Sequence, residues 1–544
     1  MAILLLIWLM GGIPWKGKLL LSDAVAFRSF ALMVVFAGGV WLRESWREQS
    51  RVLRILKKAG EALQSSTVRW ISVGTLMLIS AGLNLLQTLA LQISMLNSGI
   101  YHQALWNASN GHGLASSLIA GGSFLSGHFS PSLFVLVPLF WITQGAAWTL
   151  PVVQSLLLLG GAAAWIFLAE RLPGATPRFR SHLAAVTFVF ILGFNSLWLN
   201  QRVGFHETAI GFASLSWALA LAFAEAPSVH ESSLNWIRKS LIAFLLVVSA
   251  GSTLTLLLQI TPLFFLFALA LRQKKQPLSA AWSMGLGTTL LLVFFWKKAG
   301  MALIPGTAVS AGSILQGIQH LFLPWIAMPL LWLGWGLQKG TRTRQRFLLA
   351  LLLSLLPSLG VCLLASGADE NANAPLFLAF WPVFAVLSLL ALSECEARGI
   401  SFGRFRIPHS VGWVWAFLSV LSMSQDPWNQ MRSDLKEGVE KTQVRKNFLA
   451  LPADARVVAD EGTGTWLASR QFLSRWPDLS ALPGECPDWI VTKPNELRLI
   501  SQQGGETAYR LSRCQLQGVL QGTTAWAPVW TSAGWTAYQL RKQN

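Results

Sequence analysis

Charge is what this sequence has least of. Only 12% of its 544 residues are Asp, Glu, Lys or Arg, where a soluble chain of this length carries roughly 25%. That deficit excludes an ordinary soluble domain. Together with many apolar runs and a mean hydropathy of +0.50, it places the chain among polytopic membrane proteins. Cysteine is scarce as well: there are four, with no metal-site spacing between them. The N-terminal MAILLLIWLMGG lacks a basic n-region and an A-x-A cleavage site, so it reads as a short retained apolar segment and not as a signal peptide. The net charge of +18 does not point to nucleic acid. Its lysines and arginines fall in short clusters between apolar runs, the pattern of cytoplasmic loops.

The shortage is concentrated. From Trp70 to Ala169, a hundred consecutive residues contain no Asp, Glu, Lys or Arg, although about half of that stretch reads as loop. A loop of this kind offers no carboxylate as a base and none for a hard metal ion.

What is present is hydrocarbon in lengths that fit a bilayer. Apolar runs predict spans near 19–42, 70–94, 149–169, 182–201, 208–225, 240–252, 254–272, 279–296, 318–338, 347–365, 375–393 and 409–424. Basic clusters then fix their direction: Arg43 to Lys58, Arg171 to Arg180, Arg238 with Lys239, Arg272 to Lys275, Lys339 to Arg346, and Arg398 to Arg406. Every second loop is basic, as the positive-inside rule requires. FVLVPLFWI (134–142) is too short to cross and reads as a helix in the outer interface, with Pro131 near its start. The first outer loop then runs over 95–148, long enough to suggest a function.

Three regions follow. Residues 1–69 hold N-terminal apolar segments and a basic cytoplasmic loop, and 70–424 form the membrane domain with its long first outer loop. Residues 425–544 are polar, with strand-like RVVAD (456–460), DWIVTK (488–493), TAYRLSRC (507–514) and GWTAYQLR (534–541). They read as a small α/β domain outside the cytoplasm. Cys486 and Cys514 both fall there, where oxidation is permitted; a disulfide and two separately buried thiols are both open.

GIYHQALWN (99–107), NGHGL (110–114), SFLSGHFSPSLFVLVPLFW (123–141) and GFHETAIG (204–211) resemble a bacterial and archaeal family of predicted membrane proteins, domain of unknown function 2079. The resemblance covers roughly residues 75–400. Its members look distantly similar to lipid-linked glycosyltransferases of the GT-C class. The resemblance implies an all-α polytopic GT-C-like fold of about 12–13 transmembrane helices in the cytoplasmic membrane. It also implies sugar transfer from a polyprenyl-phosphate donor at the outer surface. That chemistry uses a first-loop carboxylate as general base or as ligand to a divalent metal, with cations near the donor phosphate.

This chain departs from the pattern. The resemblance implies acids where Asn97, His102 and Gly127 stand, and intramembrane charges where Ala250, Gly251 and Ser252 stand. What remains outside is imidazole and amide: Asn97, His102, His112, His128 and the adjacent His206-Glu207. An imidazole can replace a carboxylate as base or as ligand to a borderline metal. The plainer reading gives each histidine a fixed hydrogen bond. His206 and Glu207 are the better catalytic candidates, because an acid at the outer end of a span is costly to keep without a purpose. A structural pairing of Glu207 with Arg202 is the competing reading.

Arg202, Lys297 and Lys298 are the outer cations that could hold a lipid phosphate, against ordinary snorkelling at a helix end. Asp369 and Glu370 are the acids of a later outer loop. Trp106 could stack on a sugar, against membership of an aromatic belt. The leading function is therefore a GT-C-like glycosyltransferase. The alternative is a catalytically degenerate relative that binds lipid-linked glycan or a partner, and a transporter ranks third.

Overall fold

A computed structural model describes residues 61–93, 98–119, 122–127, 130–173, 175–194, 204–224, 231–253, 255–263, 370–397, 427–460, 462–475, 486–493 and 526–540, with isolated residues elsewhere. The spans expected near 19–42, 279–296, 318–338, 347–365 and 409–424 lie wholly or mostly outside the described residues, as does TAYRLSRC. The chain divides into two compact units. One comprises 1–77, 157–200 and 208–426, and the other 78–156, 201–207 and 427–544. The first outer loop thus belongs to the same unit as the C-terminal residues.

The charge-free stretch is built on two helices, α1 (Ser66–Leu89) and α4 (Thr149–Glu170). Each rises about 33 Å or more, enough to cross a bilayer. They are the two described helices long and apolar enough to do so. Between them lie α2 (Ile100–Ser109), a 3₁₀ turn (Pro131–Leu136) and α3 (Val137–Thr143). FVLVPLFWI is therefore helical, and it leaves Phe134, Val135, Trp141 and Ile142 exposed.

In the first unit, the two charges that bracket the acid-free stretch meet each other. Arg69, 2% exposed, holds Glu170 at 2.6 Å, and Ser66 and Trp70 donate to the same carboxylate. Helices α5 (Pro177–Gly193), α6 (Thr208–Phe223), α7 (Glu231–Ala250) and α8 (Glu370–Ala397) complete its described part. Gly161 allows α4 and α6 to touch, since a Cβ there would stand 2.7 Å from the Phe212 ring. Helix α7 starts ahead of its apolar run. The Arg238 guanidinium binds the carbonyls of Leu221 and Ala224 at the end of α6, so a basic residue caps a helix terminus.

In the second unit, α9 (Pro427–Glu440), α10 (Thr442–Leu449) and α11 (Gly464–Leu467) accompany a five-stranded mixed sheet. Its strands are β1 (Val457–Ala459), β2 (Leu473–Arg475), β3 (Trp489–Thr492), β4 (Trp526–Ser532) and β5 (Trp535–Leu540), in the order β2-β1-β3-β5-β4. β1 runs parallel to β2 and β3, while β5 is antiparallel to β3 and β4. Three strands coincide with the runs read from sequence. β2 has only three residues, and β4 is an edge strand with a register shift at Pro528, so neither carries a strong strand pattern. Leu91, beyond α1, is buried in the same core as Val444, Phe448, Val457 and Trp535.

Candidate functional site

Four polar side chains of the first loop helix point to separate partners, because successive residues on a helix turn about 100° apart. Tyr101 is 3% exposed and hydrogen-bonds the Glu207 carboxylate. His102 turns to Ser469, Nε2 to Oγ 2.9 Å. Gln103 donates to the Arg470 carbonyl at 3.0 Å and accepts from Ser116 and Ser117. Asn107 donates to the Ala115 carbonyl at 2.8 Å. The family-like motif is therefore a row of anchors that holds the loop against residues far away in sequence.

Glu207 is an acid that meets this loop, through Tyr101. Gly204, at φ +96°, gives the segment a left-handed turn that favours glycine. Phe205 N then donates to Ser98 Oγ at 2.7 Å, and His206 N to Gln154 Oε1 at 3.3 Å. These bonds set segment 204–207 against the start of the first loop. His206 Nδ1 lies 3.1 Å from Glu207 Oε2, and the imidazole side chain is 25% exposed against 6% for the carboxylate. Tyr101 packs on His206 with ring centroids 5.6 Å apart, and on Phe205 and Phe124. Burial raises the Tyr101 phenol well above its ordinary value of 10, and the Glu207 charge and hydrogen bond raise it further. Tyr101 therefore stays a donor.

Not every candidate joins this cluster. His102 is fully buried. Ser469 Oγ donates to the Gly145 carbonyl at 2.8 Å, so the shared pattern assigns the His102 proton to Nε2. Its Nδ1 is buried without a hydrogen-bond partner among the described residues, and the ring packs edge-on against Phe140. Burial lowers its pKa to about 4. The geometry of His102 is that of a neutral, fixed anchor. Trp106 packs over Gly145, where a Cβ would come within 2.8 Å of its ring. His112 lies exposed beyond α2. Cys486 is disulfide-bonded. Asn97, His128, Arg202, Lys297, Lys298, Asp369 and Cys514 lie outside the described residues, as does the side chain of Glu370.

A divalent metal does not fit the described set. His206 and Glu207 engage each other, and among the described residues no three His, Cys, Asp or Glu side chains converge. The sequence reading named His206 and Glu207 and did not name Tyr101, Ser98 or Gln154, which the structure places beside them. A signal existed for Tyr101, which is one of only three tyrosines and stands inside the motif.

Comparison with known proteins agrees with this architecture. The model of DUF2079, described as a predicted membrane protein, matches residues 87–509. No curated protein matches. The structure of ArnT from Cupriavidus metallidurans bound to undecaprenyl phosphate aligns with a TM-score of 0.53 at 11% identity, covering 88% of this chain and 99% of that one. Its apo state aligns with a TM-score of 0.46 at 11% identity, covering 87% and 98%. The chain belongs to the DUF2079 family of predicted membrane proteins and has a GT-C-like fold.

Proposed function

We propose that this protein transfers a sugar from a polyprenyl-phosphate carrier at the outer face of the cytoplasmic membrane, with its base rebuilt around Glu207. One observation carries the reading: the carboxylate missing from the first loop is supplied to that loop by segment 204–207. The fold shared with a protein that holds undecaprenyl phosphate supports a polyprenyl donor. In this reading the partly exposed His206 faces the acceptor. His206 Nδ1 stands 3.1 Å from Glu207 Oε2, and in this reading Nε2 takes the acceptor's proton. Glu207, at ion-pair distance from the ring, stabilises the imidazolium that forms, and Tyr101 holds Glu207 by its hydrogen bond.

The degenerate reading has its own support in the buried, fixed geometry of His102. One assay separates the two. Purified protein is given polyprenyl-phosphate sugars, with and without EDTA. Transfer that falls by about 10²–10⁴ in Glu207→Gln supports the rebuilt base. Retained binding of lipid-linked sugar without turnover favours the degenerate form.

A further inference from the structure

Helix α9, the first element of the C-terminal residues, packs against the end of α1. At Gly438 a Cβ would stand 3.4 Å from Leu89 Cβ and 3.8 Å from Ala90 N. Lys441, directly after α9, donates to the Ala90 carbonyl at 2.6 Å and fixes the same contact. From Trp70 onward α1 carries no charge. Between Trp70 and Leu89 it rises about 28 Å, close to the roughly 30 Å of a bilayer's hydrocarbon. Leu89 therefore stands at the hydrocarbon boundary, and α9 stands there with it.

Around α9 the residues sort by chemistry. Successive positions turn about 100°, so Leu435 and Val439 share one flank beside the Gly438 contact. They are 53% and 68% exposed. In the sequence of the helix, Met431 and Trp428 fall in the same row. Lys436 and Glu440 take the side opposite Gly438, both exposed, with their charges 3.9 Å apart. Glu437 takes the other flank and holds Lys441 at 2.6 Å. Among the described residues of α9, the exposed side chains are thus apolar on one flank and charged elsewhere. Apolar residues scattered singly over a surface need no explanation. Leu435 and Val439 are neighbours one turn apart, and they stand at the level where hydrocarbon ends.

We propose that α9 lies in the bilayer interface at the Leu89 end of α1, with Leu435 and Val439 against phospholipid acyl chains and Lys436 and Glu440 turned to water. Two observations identify lipid as the occupant. The Gly438 contact with Leu89 sets the depth of the helix. Exposed Leu78 and Ile79 leave α1 open to hydrocarbon about 15 Å below that contact. A helix in the interface plane has this division, with its apolar face sunk about 5–10 Å into the headgroup and acyl boundary and its charged face in water. The residues after 427 then touch the membrane themselves and are not merely tethered to it. The inference is independent of any sugar transfer.

Site-specific photo-crosslinking of the full chain tests this. Benzoylphenylalanine is placed singly at positions 435, 436, 439 and 440, and each variant is reconstituted in vesicles of dioleoyl phosphatidylcholine and dioleoyl phosphatidylglycerol. All four side chains are exposed, so the replacements disturb folding little, and melting temperatures identify any variant that does not fold. After irradiation, intact-mass spectrometry should show phospholipid adducts at 435 and 439 and their loss at 436 and 440. Equal yields at all four positions overturn the proposal, as does the absence of lipid adducts at both 435 and 439. Adducts at 435 or 439 to a second copy of this chain also overturn it, and so does a protein adduct at 439 when the irradiation is repeated in the cell membrane. Should one apolar position fail to fold, the other decides the case.

Discussion

His102 and Glu207 are both buried, and each meets a different set of partners. His102, sealed among Phe140, Ser469 and Gly145, is held neutral by burial, with a pKa of about 4 against an ordinary 6.5. The unfolded chain thus binds a proton more readily than the folded protein. The stability from the neutral ring is complete above pH 6.5 and is lost as pH falls from 6.5 towards 4. The full span is worth about 3 kcal/mol. Thermal unfolding between pH 7 and 4.5 should show a loss in the native protein that is smaller in His102→Gln; an equal loss in both would assign the acid sensitivity elsewhere. The identity of these residues was legible in sequence, as was the adjacency of His206 and Glu207. Which histidine met an acid was not, because both candidates belong to polar surroundings and differ only in what folds against them.

At the scale of elements, the hundred-residue stretch has no charges of its own and takes them at its ends. Both of its termini are closed by one pair, Arg69 with Glu170. Within the stretch, the last turn of α1 holds no basic residue, and further partners for its C-terminal carbonyls come from far along the chain. Lys441 Nζ donates to the Ala90 carbonyl at 2.6 Å, Trp466 Nε1 to that of Thr88 at 2.9 Å, and Arg445 to that of Leu89. Cations at a helix C-terminus also complement its dipole. Glu170→Ala should destabilise by about 3–5 kcal/mol, since it strands a buried guanidinium. The double change Arg69→Met with Glu170→Leu should recover much of that loss. Melting temperatures in one detergent would check both; a double variant less stable than Glu170→Ala would mean the pair is net stabilising. Among the described helices, α4 and α6 lie within two residues of the apolar runs, whereas α1, α5 and α8 are shifted by four to eight residues at their ends and α7 starts nine residues ahead of its run.

For the whole molecule, the first loop and the residues after 427 form one compact unit, although sequence composition separates them. Gln103, His102 and the end of α1 find partners at Arg470, Ser469, Lys441 and Arg445. A chain ending at residue 426 should therefore expose the 98–119 loop, with new cleavage sites there in limited proteolysis and lower accumulation in the membrane. A loop still resistant to protease would show that it folds without those residues. The sequence alone determined the membrane class, the helical character and the charge-free stretch, because composition and periodicity are local properties, while its motifs carried the family resemblance. Tertiary structure decided that Glu207 meets Tyr101, that His102 is sealed away, and that α1 is capped by residues some 350 positions later. Those pairings depend on the path of the chain between the partners, and an apolar segment carries no local mark of what it will bring together.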